Sequence, residues 1–317
     1  MSKRIVVALG GNAIETVTGT AESQEESIRK TMESLVEFIK DGSQLVITHG
    51  NGPQVGNLLL QEAAGSTKTN PPMPLDTVGA MTEGEIGYWM ELALDSVLAE
   101  NGIKKTTAAI ISQTEVSKDD PAFLKPTKPI GPFYTKEECN ELKKAHPDFV
   151  YVEDAGRGFR RVVPSPKPVK MLEVGVVRVM VENGMIPIAY GGGGIPVVSD
   201  GKGGYIGVEG VIDKDFGASQ MAKELDADEL IILTAVDNVC INFNKPDQKA
   251  LTNVTVEELT KYMDEGQFAA GSMLPKVQAA IKFVTAKPEC KAIITSLDKV
   301  ADLVAGVPGV GTIIRSE

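Results

Sequence analysis

Two histidines, three cysteines and one tryptophan in 317 residues leave this chain poor in the side chains that hold soft metals, haem or a disulfide framework. Cys139, Cys240 and Cys290 lie far apart, and His49 and His146 complete no ligand spacing. No metal-ligating set is predicted, and the thiols read as those of a reducing compartment. Long hydrophobic runs are missing too: nowhere do about 18 apolar residues follow one another, which excludes a membrane-spanning helix. The apolar run at residues 5–9 is too short for a signal peptide and breaks at Gly10-Gly11-Asn12, so the cytoplasm is the expected location. A basic surplus is also lacking. Against 43 Asp and Glu stand 32 Lys and Arg, a net charge of -11, which disfavours a general nucleic-acid or anionic-membrane surface. Any anion handled by this chain must meet lysines concentrated in one place.

Neither a G-x-G-x-x-G dinucleotide fingerprint nor a G-x-x-x-x-G-K-[ST] phosphate loop occurs, and no Ser-His-Asp or Cys-His set is apparent. What is present is ordinary globular composition, 42% hydrophobic and 24% charged, in a length that fits one large or two modest domains of about 150 residues. Residues 5–9 form an almost purely apolar, β-rich run ending in glycines, as a strand buried on both faces does. A helix is predicted next, opened by a capping box between Ser23 and Glu26, with Ile28, Met32, Leu35, Val36 and Ile39 at helical spacing before Asp41-Gly42. Residues 45–48 read as a second strand, followed by Gly50-Asn51-Gly52-Pro53 and another helix start.

The alternation continues through a long helical pattern over Met81, Ile86, Trp89, Leu92 and Leu98, in which Trp89 and Met90 read as core or dimer contacts. Strands at 108–111, 186–190, 230–234 and 292–295, a run at 312–315, and helices over 171–181, after Asp215 and after Met273 complete a wound α/β sheet with right-handed crossovers. One stretch breaks the rhythm. Residues 117–168 are polar and hold Pro121, Pro126, Pro129, Pro132, Pro147, Pro164, Pro166 and Pro168, eight of the 18 prolines, which points to an inserted, loop-rich lid.

Ligands of a wound sheet sit beyond the carboxyl ends of its strands, and there this sequence places glycines: Gly10-Gly11-Asn12, Gly50-Asn51-Gly52 and residues 191–194. One such turn is mostly backbone geometry; three at corresponding places point to an anion held by N–H groups and helix N-termini. Three lysines stand out by context. Lys128 lies between Pro126 and Pro129 in the lid, Lys214 between Asp213 and Asp215 before a helix, and Lys276 at a helix start, where a cation opposes the dipole.

These residues carry a resemblance. Ala8-Leu9-Gly10-Gly11-Asn12-Ala13, His49-Gly50-Asn51-Gly52-Pro53-Gln54-Val55-Gly56, the glycines of 191–194, Gly210-Val211-Ile212-Asp213-Lys214-Asp215, Leu233-Thr234-Ala235-Val236-Asp237 and Gly271-Ser272-Met273-Leu274-Pro275-Lys276 run in order over essentially the whole chain. With the segment 126–134, the set resembles the carbamate kinase branch of the amino-acid kinase family. The resemblance implies a three-layer αβα sandwich on a central, mainly parallel sheet. Residues 1–190 would form a carbamate or carbamoyl-phosphate lobe carrying the lid subdomain at 117–168, and residues 191–317 a nucleotide-binding lobe. It implies ATP + carbamate = ADP + carbamoyl phosphate with Mg²⁺, often run towards ATP in fermentative arginine breakdown by the arginine deiminase pathway, and a homodimer.

By the same resemblance, Lys214 serves the nucleotide phosphates and the transferring phosphoryl group, Asp215 orients the lysines, Lys128 reaches the acceptor and Lys276 the terminal phosphates. Backbone N–H groups of Gly10, Gly11, Asn12, Gly50 and Asn51, beside Gly52, would hold carbamate. Thr234, Ala235, Val236 and Asp237, with Met273, Pro275, Lys276 and Val277, would line the nucleotide site. His49 reads as a residue fixing its turn, because carbamate is already ionised and needs no general base. Two alternatives stay open: a related kinase of a larger carboxylate, and a non-catalytic nucleotide-sensing module of the same fold.

Overall fold

In the computed structural model, which describes residues 2–14, 19–153, 156 and 158–317, the first apolar run is the strand Arg4–Leu9. Its alternation decides the layering: Ile5, Val7 and Leu9 face one buried cluster and Val6 and Ala8 the other. The first cluster is closed by the helices Ala21–Lys40 and Leu75–Glu100, through Ile28, Met32, Leu35, Ile86, Met90 and Leu94. The second is closed by Val174–Glu182, Lys214–Glu224 and Met273–Ala286, through Val177, Met221, Ala280 and Phe283. Each fully buried aliphatic side chain contributes about 1.5–3 kcal/mol, so two such clusters hold three layers together. Trp89 and Met90 belong to the core.

The main sheet runs, in spatial order, Asn253–Thr255, Thr312–Arg315, Lys291–Ser296, Glu229–Thr234, Arg4–Leu9, Gln44–His49, Ile186–Ala189 and Thr107–Ile110. Every pairing is parallel except that of Lys291–Ser296 with Thr312–Arg315. Arg4–Leu9 lies at the centre and pairs with Gln44–His49 on one side and Glu229–Thr234 on the other, so the two expected lobes share one sheet. The outer edge is blunted: Glu91 accepts a hydrogen bond from the Ala109 N–H at 2.5 Å and Glu83 one from the Ser112 N–H at 2.7 Å.

Several boundaries differ from the sequence reading. The first long helix is capped by Thr20, whose side chain accepts from the Ser23 N–H; the predicted Ser23 and Glu26 box lies inside the helix. The stretch predicted as helix over 171–181 opens as the strand Pro168–Met171 and becomes helical only from Val174 to Glu182. The proline-rich excursion is more ordered than loop-rich. The strands Lys128–Tyr134, Val150–Glu153 and Phe159–Val163 form an antiparallel sheet beside the helix Lys136–Ala145, which Thr135 and Glu138 cap reciprocally. Proline fits there because the strands are short and the ladder between Lys128–Tyr134 and Phe159–Val163 is interrupted after Ile130. The excursion is rooted where Gln113–Val116 and Pro168–Met171 pair antiparallel. Among the described residues no helix is long and apolar enough to cross a membrane.

Candidate active site

The carboxyl ends of Arg4–Leu9 and Gln44–His49 open into a cavity of about 190 Å³. Four segments distant in sequence line it: Gly11 from the first turn, Gly50, Asn51 and Gly52 from the second, Lys128, Pro129 and Ile130 from the excursion, and Asp213, Lys214 and Asp215 at a helix start. Gly271, Ser272, Pro275 and Lys276 close it. Asp213 is the N-cap of Lys214–Glu224: one of its oxygens accepts from the Asp215 N–H at 3.0 Å, which leaves the other free to hold the Lys128 ammonium at 2.8 Å. One cap residue thus fixes a helix start and a lysine from the excursion. Sequence reasoning placed Asp213 only beside Lys214, because adjacency along the chain does not reveal a partner as distant in sequence as Lys128.

Asp215 does the same for two more lysines. Its carboxylate, 2% exposed as a residue, takes Lys214 Nζ at 2.6 Å on one oxygen and Lys276 Nζ at 3.0 Å on the other. Three lysines and two aspartates therefore meet with one positive charge left over, a balance that an entering phosphate completes. Burial pushes the Lys214 ammonium's pKa down; Asp215 opposes that shift and Lys276 adds to it. At Asp213 burial works against ionisation, yet the charge and hydrogen bond of Lys128, with help from Lys214 and the Asp215 N–H, hold the carboxyl at about 2.

The glycine turns serve close approach as much as anion binding. Gly10 donates its N–H to Leu233 O at 3.1 Å and Gly50 donates to Leu9 O at 3.2 Å, so these two groups extend the ladder and are not offered to a ligand as the sequence reading expects. A Cβ at Gly10 would lie 2.8 Å from Leu233 O, and one at Gly50 would lie 3.3 Å from the Lys214 side chain that passes beneath. Gly11, Asn51 and Gly52 face the cavity. Asn12 sits in the short turn Gly11–Ala13; its side chain lies outside the described structure.

Behind them the four glycines at 191–194 are buried. Gly192 has φ +65°, and a Cβ there would run into the Asn51 amide, which donates to Thr82 Oγ1 at 3.0 Å. His49 is buried against Gly191, with Nδ1 2.9 Å from Gly50 O. Burial holds its pKa at about 4, so the ring is neutral, and it lines neither this cavity nor the next.

A second cavity of about 420 Å³ adjoins the first at Ser272 and Lys276. Thr234, Ala235, Val236 and Met273 line it, together with Cys240 on the short strand Cys240–Ile241, which the sequence reads only as a reduced thiol, and Asn238, Phe243, Gln267 and Phe268, which stand in loops without a motif. Two expected members lie elsewhere. Asp237 is exposed and accepts from Ser296 Oγ at 2.6 Å, and Val277 is fully buried in the core, since it lies on the sheet-facing side of its helix. Pro275 lines the smaller cavity. The helix Met273–Ala286 begins at the junction without a side-chain cap or an acidic first turn, so its N-terminal N–H groups and Lys276 present positive charge between the cavities.

A family model described as the amino acid kinase family matches residues 3–296. The carbamate kinase of Oenococcus oeni is 58% identical over 314 residues, 99% of this chain and 99% of that protein. That of Lentilactobacillus hilgardii is 56% identical over 317 residues, 100% of this chain and 98% of that protein. Among solved structures, carbamate kinase from Giardia lamblia bound to AMP-PNP superposes with a TM-score of 0.90 at 42% identity, covering 99% of both chains.

Proposed function

The chain belongs to the amino acid kinase family, and from that premise we propose that its two joined cavities serve one reversible reaction, ATP + carbamate = ADP + carbamoyl phosphate. The observation that carries the reading is the meeting of Lys128, Lys214 and Lys276 on Asp213 and Asp215 at the wall of the small cavity. The nucleoside occupies the cavity of about 420 Å³, and its phosphates pass Lys276 and the helix N-terminus into the cavity of about 190 Å³. Carbamate lies opposite, near Asn51, Gly52 and Lys128. A carbamate oxygen attacks the γ-phosphorus while the bond to the ADP oxygen breaks. Charge moves onto that oxygen and over the phosphoryl group, and Lys214 and Lys276, held by Asp215, are aimed there before the reaction begins.

Carbamate is ionised at neutral pH, so no general base is required and a neutral His49 is consistent with the chemistry. Mg²⁺ fits as an ion carried by the nucleotide. The carboxylates lining the small cavity, Asp213 and Asp215, are within the site, but no group of three metal-ligating side chains occurs among the described residues, so nucleotide phosphate oxygens and water would supply most of its ligands. When bound it neutralises phosphate charge.

The small cavity must hold acceptor and phosphoryl group together, which favours carbamate over a longer carboxylate such as acetylglutamate. The meeting of all five charged residues favours an enzyme over a sensing module. The proposed setting is the cytoplasm and arginine fermentation, supported by the resemblance to carbamate kinases. The proposed homodimer uses an exposed face of Leu75–Glu100, where Tyr88 is 57% and Leu92 50% exposed and Ile111 sits beside Gly84. The test of the reaction is ADP release from ATP with ammonium and bicarbonate, which supply carbamate, against acetylglutamate and glutamate. Turnover with carbamate alone supports the reading; turnover with the longer acids alone overturns it.

A further inference from the structure

Between the excursion and the helix Gly52–Gly65 lies a cleft of about 540 Å³, larger than either cavity of the proposed reaction. Leu60, Met73, Phe149, Tyr151 and Arg161 are among the residues lining it. Ile130, 1% exposed, is the one described residue that lines both this cleft and the small cavity where Lys128 points. Lys128 and Ile130 stand two apart on one strand and so project from the same face. Directly across the strand pair from Ile130 is Arg161, which projects to that face as well. Its guanidinium lies 3.4 Å from the Phe149 ring centroid, and its nearest carboxylate, on Glu209, is 3.9 Å away.

Accepting the phosphoryl transfer described above, we propose that Ile130 determines acceptor size: its side chain is the partition that closes the carbamate end of the small cavity. Removing three carbons from it joins that cavity to the cleft, which offers apolar walls and a cation to a longer or aromatic carboxylate. The chemistry is unchanged. A β-phosphate oxygen of ADP bonds to the phosphorus of an acyl phosphate, the bond from phosphorus to the acyl oxygen breaks, and the electron pair leaves on the carboxylate.

The experiment measures ATP formed from ADP with carbamoyl, butyryl or benzoyl phosphate. It compares the wild-type chain, Ile130→Ala, Ile130→Val and, as a control on the far wall of the cleft, Leu60→Ala. The expected result is a rise of about tenfold or more in the kcat/KM of butyryl or benzoyl phosphate relative to carbamoyl phosphate in Ile130→Ala. A smaller rise is expected in Ile130→Val, and none in Leu60→Ala. Thermal melting identifies the folded variants; if Ile130→Ala does not fold, Ile130→Val decides alone. A folded Ile130 variant with the wild-type ratio overturns the partition, as does an equal rise in Leu60→Ala. Failure of the wild-type chain to use carbamoyl phosphate overturns the reaction itself, and with it the partition that depends on it.

Discussion

A single carboxylate, that of Asp215, holds two ammonium groups, so deleting either lysine removes a preorganised donor and also leaves the other pair rebalanced. Lys214→Ala and Lys276→Ala are each expected to lower turnover by on the order of 10²–10³, about 3–4 kcal/mol in the transition state. Steady-state kinetics of ATP formation check this, and near-wild-type kcat in either variant contradicts the role. His49 gives a pH prediction. Its pKa of about 4 in the folded chain lies below the ordinary value near 6.5, so the unfolded chain binds the extra proton. The stability it contributes is present above about pH 6.5 and is lost as pH falls towards 4. Relative to His49→Gln, the wild-type chain should lose about 3 kcal/mol across that window. Denaturant titrations at several pH values test it, and a constant difference between the two proteins rules it out. Lys128, Lys214 and Lys276 stand out in the sequence because their neighbours are unusual for surface residues, and Asp215 joins them there only through the family resemblance. Asp213 does not, because adjacency along the chain does not reveal its hold on Lys128, and Val277 was misread because a motif spacing does not say which face of a helix looks inward.

Between elements, contact is governed by glycines that let backbones meet. Gly56 on the helix Gly52–Gly65 faces Gly131 on the strand Lys128–Tyr134, and a Cβ at Gly56 would lie 2.6 Å from Gly131 Cα. The same strand carries Lys128 and Ile130 into the site, so its seat on the helix sets where the acceptor end closes. Gly56→Ala is expected to raise the KM for carbamoyl phosphate several-fold, to leave ADP binding nearly unchanged and to cost about 1–3 kcal/mol of stability. Kinetics varied in each substrate, with thermal melting, make the test; loss of ADP affinity with a normal KM for carbamoyl phosphate contradicts it. Element type was readable wherever a strand is buried on both faces, as at Arg4–Leu9 and Gln44–His49, because a continuous apolar run ending in glycine has few other meanings. The excursion was misread as mainly loop because its strands are half exposed, one of them holds two prolines and other prolines flank them, so neither alternation nor apolar density marks them.

For the molecule as a whole, a charge of -11 coexists with an anion site because five charged groups, not the net field, set the local potential. The proposed dimer belongs to this scale. Tyr88→Glu, on the exposed apolar face of Leu75–Glu100, is expected to halve the mass seen by sedimentation while the single chain stays folded. A wild-type chain that sediments as a monomer contradicts it. The layered sheet followed from the alternation of strands and helices, whereas the joining of two cavities at Lys276 depends on long-range packing that no local pattern encodes. The most direct measurement is phosphorus NMR of ADP, Mg²⁺ and carbamoyl phosphate with the purified protein. The account predicts a growing γ-phosphate signal of ATP matched by loss of carbamoyl phosphate, beyond its spontaneous decay. Decay to inorganic phosphate at the uncatalysed rate, with no ATP signal from folded protein, would contradict it.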